Sequence, residues 1–163
     1  MMRPARVLAV VVLAATAHSV HAQEAIYVVR HAERADDSAD AELSSEGVRR
    51  SNTLSALLAG AGVSRIFTSE RKRTIQTAAP LARALHLDSA IVNASDEDAL
   101  IQRVRGSHPS DRVLIVGHSN TVPSILEKLG VKERIAIPDA EFDNLFMVVP
   151  RAGEAPVLVR LKY

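Results

Sequence analysis

Two short apolar runs in this chain each end at a histidine. Ile26-Tyr27-Val28-Val29 leads into Arg30-His31, and Val113-Leu114-Ile115-Val116 leads through Gly117 into His118. Neither run alternates polar with apolar residues, which is the pattern of strands covered on both faces rather than one. In a parallel sheet flanked by helices, residues just past the carboxyl ends of the strands gather in one crevice. The pattern therefore predicts that His31 and His118, distant in sequence, meet at one edge of such a sheet.

Between and beyond these runs the chain alternates strand-like and helical patterns. Strands are expected at about Ala25–Val29, Arg65–Thr68, Ala90–Val92 and Arg112–Val116. Helices are expected around Leu54, Leu57, Leu58 and Ala61, around Ile75 to Leu85, at Asp98–Val104 and at Val122–Leu129. Ser44 is a candidate N-cap with Glu46 in the first turn, Gly60 and Gly62 end the first helix, and Pro80 bends the second or shifts its start. Leu145–Val149 and Val157–Leu161 follow each other closely around a Pro150–Pro156 turn region, so they are expected to pair as a hairpin. The fold class predicted is a three-layer α/β/α sandwich with a mostly parallel sheet and an antiparallel edge.

The first residues have a different character. Arg3 and Arg6 precede an apolar stretch, Val7–Ala17, and Val20-His21-Ala22 offers a small-residue cleavage site before Gln23. That order is the order of a secretory signal peptide, and the stretch is too short to span a membrane. The expectation is a signal peptide at 1–22, one domain at 23–163, and a periplasmic or secreted product with no membrane association once the signal is gone. The absence of cysteine excludes a lipid-anchored lipoprotein, a disulfide scaffold and a thiolate metal site. With 20 basic and 19 acidic residues, the charge balance gives no support for a nucleic-acid partner.

Three segments carry chemistry. In Arg30-His31-Ala32-Glu33-Arg34, a neutral imidazole can act as a nucleophile on phosphorus while guanidinium groups neutralise its oxygens by forked hydrogen bonds. In Thr68-Ser69-Glu70-Arg71-Lys72-Arg73, a strand gives way to a helix start. Arg73 there opposes the helix dipole, as if an anion were expected. In Gly117-His118-Ser119-Asn120-Thr121, Gly117 would let backbone approach a ligand, His118 could donate to an anion, and Ser119 and Thr121 would cap the next helix. Asp36, Asp37, Asp40 and Glu42 make an acidic loop that reads as a solvated lip. Two histidines without a third ligand do not make a metal site, so no metal or other cofactor is expected.

Taken together, these segments resemble the histidine phosphatase superfamily, the group that includes cofactor-dependent phosphoglycerate mutases. The family's Arg-His-Gly motif corresponds to Arg30-His31-Ala32. Its helix start corresponds to Leu43-Ser44-Ser45-Glu46-Gly47, its Arg-x-x-Gln-Thr-Ala segment to Arg73-Thr74-Ile75-Gln76-Thr77-Ala78, and its second histidine to Gly117-His118. Ala32 in place of glycine is compatible with a negative φ. The resemblance implies a phosphoglycerate mutase-like fold, with His31 as the nucleophile, Arg30 and Arg73 as phosphate ligands and His118 completing the pocket. Arg34 is a further phosphate-binding candidate.

The proton donor is less defined. Asp96, Glu97 and Asp98 lie in the stretch that carries it in many members, with Glu97 the leading choice and Asp143 a remoter one. The activity implied is metal-independent hydrolysis of a small phosphomonoester through a phosphohistidine. The alternatives are a phosphomutase, a protein-phosphohistidine phosphatase, and a binding protein for phosphate compounds that performs no chemistry. The short stretch between Arg73 and His118 leaves little room for the cap a mutase needs.

Overall fold

The computed structural model describes residues 24–163. The signal peptide expected at 1–22 and its cleavage point lie outside the described residues. Within them the order is β1 (Ala25–Arg30), α1 (Ser45–Leu58), β2 (Arg65–Thr68), α2 (Lys72–Leu85), β3 (Ser89–Ile91), α3 (Glu97–Arg105), β4 (Arg112–Gly117), α4 (Thr121–Lys128), β5 (Asn144–Arg151) and β6 (Glu154–Lys162). No described helix is long and apolar enough to cross a membrane.

The six strands form one sheet in the order β3-β2-β4-β1-β5-β6. β3, β2, β4 and β1 run parallel, whereas β5 is antiparallel to both β1 and β6. This is the three-layer arrangement with an antiparallel edge that the apolar runs predict. Two cores follow from the period of two along each strand. Tyr27, Val29, Ile66, Leu114 and Val116 pack with Leu54, Leu58, Ala78 and Leu81 of α1 and α2 on one face. Ile26, Val28, Phe67, Val113 and Ile115 pack with Val104 of α3 and with Ile125 and Leu126 of α4 on the other.

β4 lies between β1 and β2, and its register sets the site. Arg30 pairs with Gly117 and Thr68 with Val116, so three strands end level with one another. The His31 N–H donates to the Gly117 carbonyl at 2.8 Å, which carries the ladder one step past the strand ends.

Two expectations need adjustment. Pro80 lies well inside α2, which starts at Lys72, so the proline does not mark the start of that helix. The strands of the hairpin run through Pro150 and Pro156 and turn at Gly153, whose φ of 75° suits glycine. Both prolines fall on the terminal hairpin, where β6 is an edge strand and a bulge interrupts the pairing between Val149 and Arg151.

Candidate active site

His31 is 4% exposed and His118 7% exposed, and their ring centroids are 5.3 Å apart in an edge-on arrangement. Arg30, Arg34, Arg73, Ser119, Asn120, Asp139 and Phe142 join them in lining a cleft of about 280 Å³. The structure therefore brings together five of the six site residues expected from the sequence: His31, His118, Arg30, Arg73 and Arg34.

The tautomer of His31 follows from one bond. Its Nδ1 lies 2.8 Å from the Ala32 carbonyl, which can only accept, so Nδ1 carries the proton and Nε2 keeps its lone pair. Burial, and after it the positive neighbourhood of His118, Arg73 and Arg30, pulls the His31 pKa from 6.5 down to about 3. The ring is neutral and nucleophilic at neutral pH. Ala32 is itself held, because its N–H donates to Thr77 Oγ1 at 2.9 Å. Its φ is not positive, so alanine is accommodated there without backbone strain.

His118 is oriented from behind. Its Nε2 lies 3.0 Å from Ser69 Oγ, and its Nδ1 lies 3.5 Å from an Arg73 nitrogen. A guanidinium only donates, so Nδ1 is the acceptor and Nε2–H donates to Ser69. Ser69 Oγ also accepts from the Arg71 N–H at 3.2 Å and lies 2.9 Å from Thr74 Oγ1. Thr74 Oγ1 in turn donates to the Arg71 carbonyl at 2.8 Å, so it can accept the Ser69 proton. Burial first, and then Arg73, lowers the His118 pKa from 6.5 to about 4, with Glu70 acting in the opposite direction.

The two arginines are fixed by backbone carbonyls. Arg30 NH1 is 3.1, 2.9 and 3.0 Å from the carbonyls of Pro138, Asp139 and Glu141. The Arg30 guanidinium stands 4.0 Å over the Phe142 ring. Arg73 NH1 donates to the Ala39 carbonyl at 2.9 Å. Nε of each arginine is buried without a hydrogen-bond partner. Burial lowers both arginine pKa values, yet they remain cations. One buried and one half-buried guanidinium group, each with an unpaired buried Nε, beside two neutral imidazoles form an anion site.

The loop between β1 and α1 is clamped to α2. Asp40 Oδ1 accepts from the Lys72 N–H at 3.0 Å, which places a carboxylate on a helix start that has no acid of its own. Gln76 Oε1 accepts from the Leu43 N–H at 2.8 Å. Gly47 has a steric reason: a Cβ there would sit 2.3 Å from the Glu33 carbonyl oxygen, so α1 packs directly on the backbone two residues beyond His31. Arg34 pairs with Asp37 at 2.9 Å on the rim, and its side chain is partly exposed.

Other expectations are corrected by position. Gly117 does not make room for a ligand: a Cβ there would meet Thr121 Oγ1 at 3.0 Å and Val122 at 3.1 Å, so its smallness admits the first turn of α4. Thr121 Oγ1 accepts the His118 N–H at 2.9 Å. Glu97 does not line the cleft that holds His31. Its carboxylate takes a hydrogen bond from Ser124, and it borders an adjoining pocket that shares only His118 with the cleft. Asp96 caps α3 through the Ala99 N–H, Asp98 pairs with Lys128, and Asp143 pairs with Lys162. Sequence reasoning missed Ser69, Asp139 and Phe142. The only signal for Ser69 is its place right after β2, and the other two sit in a loop without a motif.

Residues 26–98 match the histidine phosphatase superfamily, branch 1. The likeness in fold extends further than the matched segment. The SixA protein of Agrobacterium tumefaciens aligns over 86% of this chain and 99% of its own, with a TM-score of 0.67 and 19% identity. A protein histidine phosphatase SixA complexed with tungstate covers 85% and 96%, with a TM-score of 0.66 and 18% identity. The mycobacterial glucosyl-3-phosphoglycerate phosphatase covers 86% and 98%, with a TM-score of 0.68 and 12% identity. Identities this low establish a shared phosphoglycerate mutase-like histidine phosphatase fold and nothing finer. No curated protein matches the sequence.

Proposed function

We propose that this histidine phosphatase superfamily chain hydrolyses small phosphomonoesters, with His31 Nε2 as the nucleophile. The observation that carries the reading is the Nδ1–Ala32 bond at 2.8 Å, which leaves an unprotonated Nε2 in a cleft flanked by two arginines. Binding alone has no use for such a tautomer. Phosphoryl transfer through a loose transition state needs positioning and charge neutralisation more than covalent help. Arg30 and Arg73 supply fixed cations, and their anchoring on carbonyls means they need not reorganise as charge shifts to the equatorial oxygens. His118 is neutral before binding. An incoming dianion favours a proton on its Nδ1, which adds a third positive group.

The cleft is lined on one side by the loop between β1 and α1, and the chain between Arg73 and His118 is used up by α2, β3, α3 and β4. That leaves no room for an inserted cap between these two residues, which favours hydrolysis over a mutase. An open cleft also admits a phosphorylated side chain on a protein surface, and this is the second reading. The N-terminal pattern supports an exported protein, testable by whether the mature form begins at Gln23 in a periplasmic fraction.

The deciding experiment is acid-quenched labelling. Wild type incubated with a radiolabelled aryl phosphate is expected to carry acid-labile phosphate on His31, and His31→Ala none. A wild type that binds phosphate compounds while showing neither label nor turnover would overturn the proposal in favour of a binding protein.

A further inference from the structure

Among the described residues, Asp139 is the one acid lining the cleft with both histidines. We propose that Asp139 is the acid–base residue of this site; the proposal rests on His31 being the nucleophile. Its placement is not accidental to the cleft. The Asp139 carbonyl accepts from Arg30 NH1 at 2.9 Å, between two further carbonyl contacts at Pro138 and Glu141. Phe142, three residues further along the loop, lies beneath the same guanidinium. Arg30 thus fixes the backbone of the one acidic residue that lines the cleft.

The other acids nearby are committed elsewhere. Glu97 is bonded to Ser124, Asp96 to the α3 N-terminus, Asp98 to Lys128, and Glu141 and Asp143 to Lys162. Glu70 pairs with Arg71 and accepts the Ala94 N–H. Asp139 is exposed, and its carboxylate feels the charge of Arg30 without being held by a side-chain hydrogen bond, so it can turn to a substrate.

The chemistry balances on this one group. In the first half, His31 Nε2 bonds to phosphorus and the ester P–O bond breaks, its electron pair passing to the departing oxygen. The Asp139 carboxyl gives that oxygen a proton and becomes a carboxylate. In the second half, a water oxygen bonds to phosphorus, the P–N bond breaks and its pair returns to Nε2, and the water proton passes to Asp139. The enzyme is restored with inorganic phosphate released.

The test compares substrates by leaving group. For Asp139→Asn and Asp139→Ala, kcat/KM for an alkyl phosphate such as glycerol phosphate is expected to fall about 10²-fold or more. For p-nitrophenyl phosphate, whose leaving group departs without a proton, kcat/KM should change little. Steady-state kcat should fall, and acid-labile phosphate should accumulate on His31. Inhibition by inorganic phosphate, measured alongside, reports that the cleft is intact. Equal loss on both substrates, no loss on either, or a leaving-group-dependent loss in Glu97→Gln instead would overturn the assignment. A wild type without label on His31 would instead overturn the nucleophile, so the two failures are separable.

Discussion

Acidification should destabilise this protein before its carboxylates begin to protonate, and the cause is the pair of buried imidazoles. The folded chain holds His31 near a pKa of about 3 and His118 near about 4, against 6.5 for an ordinary histidine. The unfolded chain therefore binds protons in a range where the folded chain does not, so stability falls as pH falls from 6.5. Each unit below that value removes about 1.4 kcal/mol per histidine until the folded pKa is reached. From pH 7 to pH 5 the loss is about 2 kcal/mol for each ring and about 4 kcal/mol for both. That is a large part of the roughly 5–15 kcal/mol that holds a domain together. Urea unfolding at pH 7, 6 and 5 reads this directly, with the m-value unchanged and the midpoint moving down. His31→Asn and His118→Gln should each remove about half of the slope. A wild-type midpoint that stays level between pH 7 and 5, or a double variant as steep as wild type, would refute the reasoning. Inorganic phosphate should recover part of the loss at pH 5, because the anion favours a protonated His118.

Arg73→Lys should cut kcat/KM by at least 10²-fold, since an ammonium cannot hold both Ala39 and a phosphoryl oxygen as the planar fork does; near-normal kinetics would remove it from the site. Gly47→Ala should destabilise by about 1–3 kcal/mol and lower turnover, because its Cβ forces the Glu33 backbone, and His31 with it, to move; an unchanged melting temperature would contradict this. Thr77→Val leaves the buried Ala32 N–H without an acceptor and should cost about 1–3 kcal/mol in chemical denaturation. Ser69→Ala should leave inhibition by phosphate weaker and its pH dependence shifted, while a serine acting only in packing would leave that profile in place.

The sequence discloses the parts of this site that follow strands. His31 and His118 are legible because each closes an apolar run, and the level ends of β1 and β4 bring them together. Arg30 and Arg73 are legible by their motifs, though not the carbonyls that hold them, since these contacts at Pro138, Asp139, Glu141 and Ala39 use backbone and not side-chain atoms. Asp139 and Phe142 escape because the loop before β5 has neither periodicity nor motif, and only the fold carries it to β1. Glu97 misleads for a physical reason: acids at a helix start serve the dipole whether or not a site lies nearby, and here Asp96 caps while Glu97 turns to Ser124. Gly117 misleads similarly, because a glycine records that something comes close without saying what.

Because β4 slots between β1 and β2, the sheet cannot grow strand by strand in the order of synthesis. A nascent chain that has emerged through α3 has β2 joined only to β3, while β1 still waits for both of its neighbours. The arrival of residues 112–117 welds these pieces, and the same event carries His118 to the side of His31. The meeting of the two histidines is thereby tied to closure of the hydrophobic layers. A partly built molecule on the ribosome therefore lacks the cleft that holds both histidines.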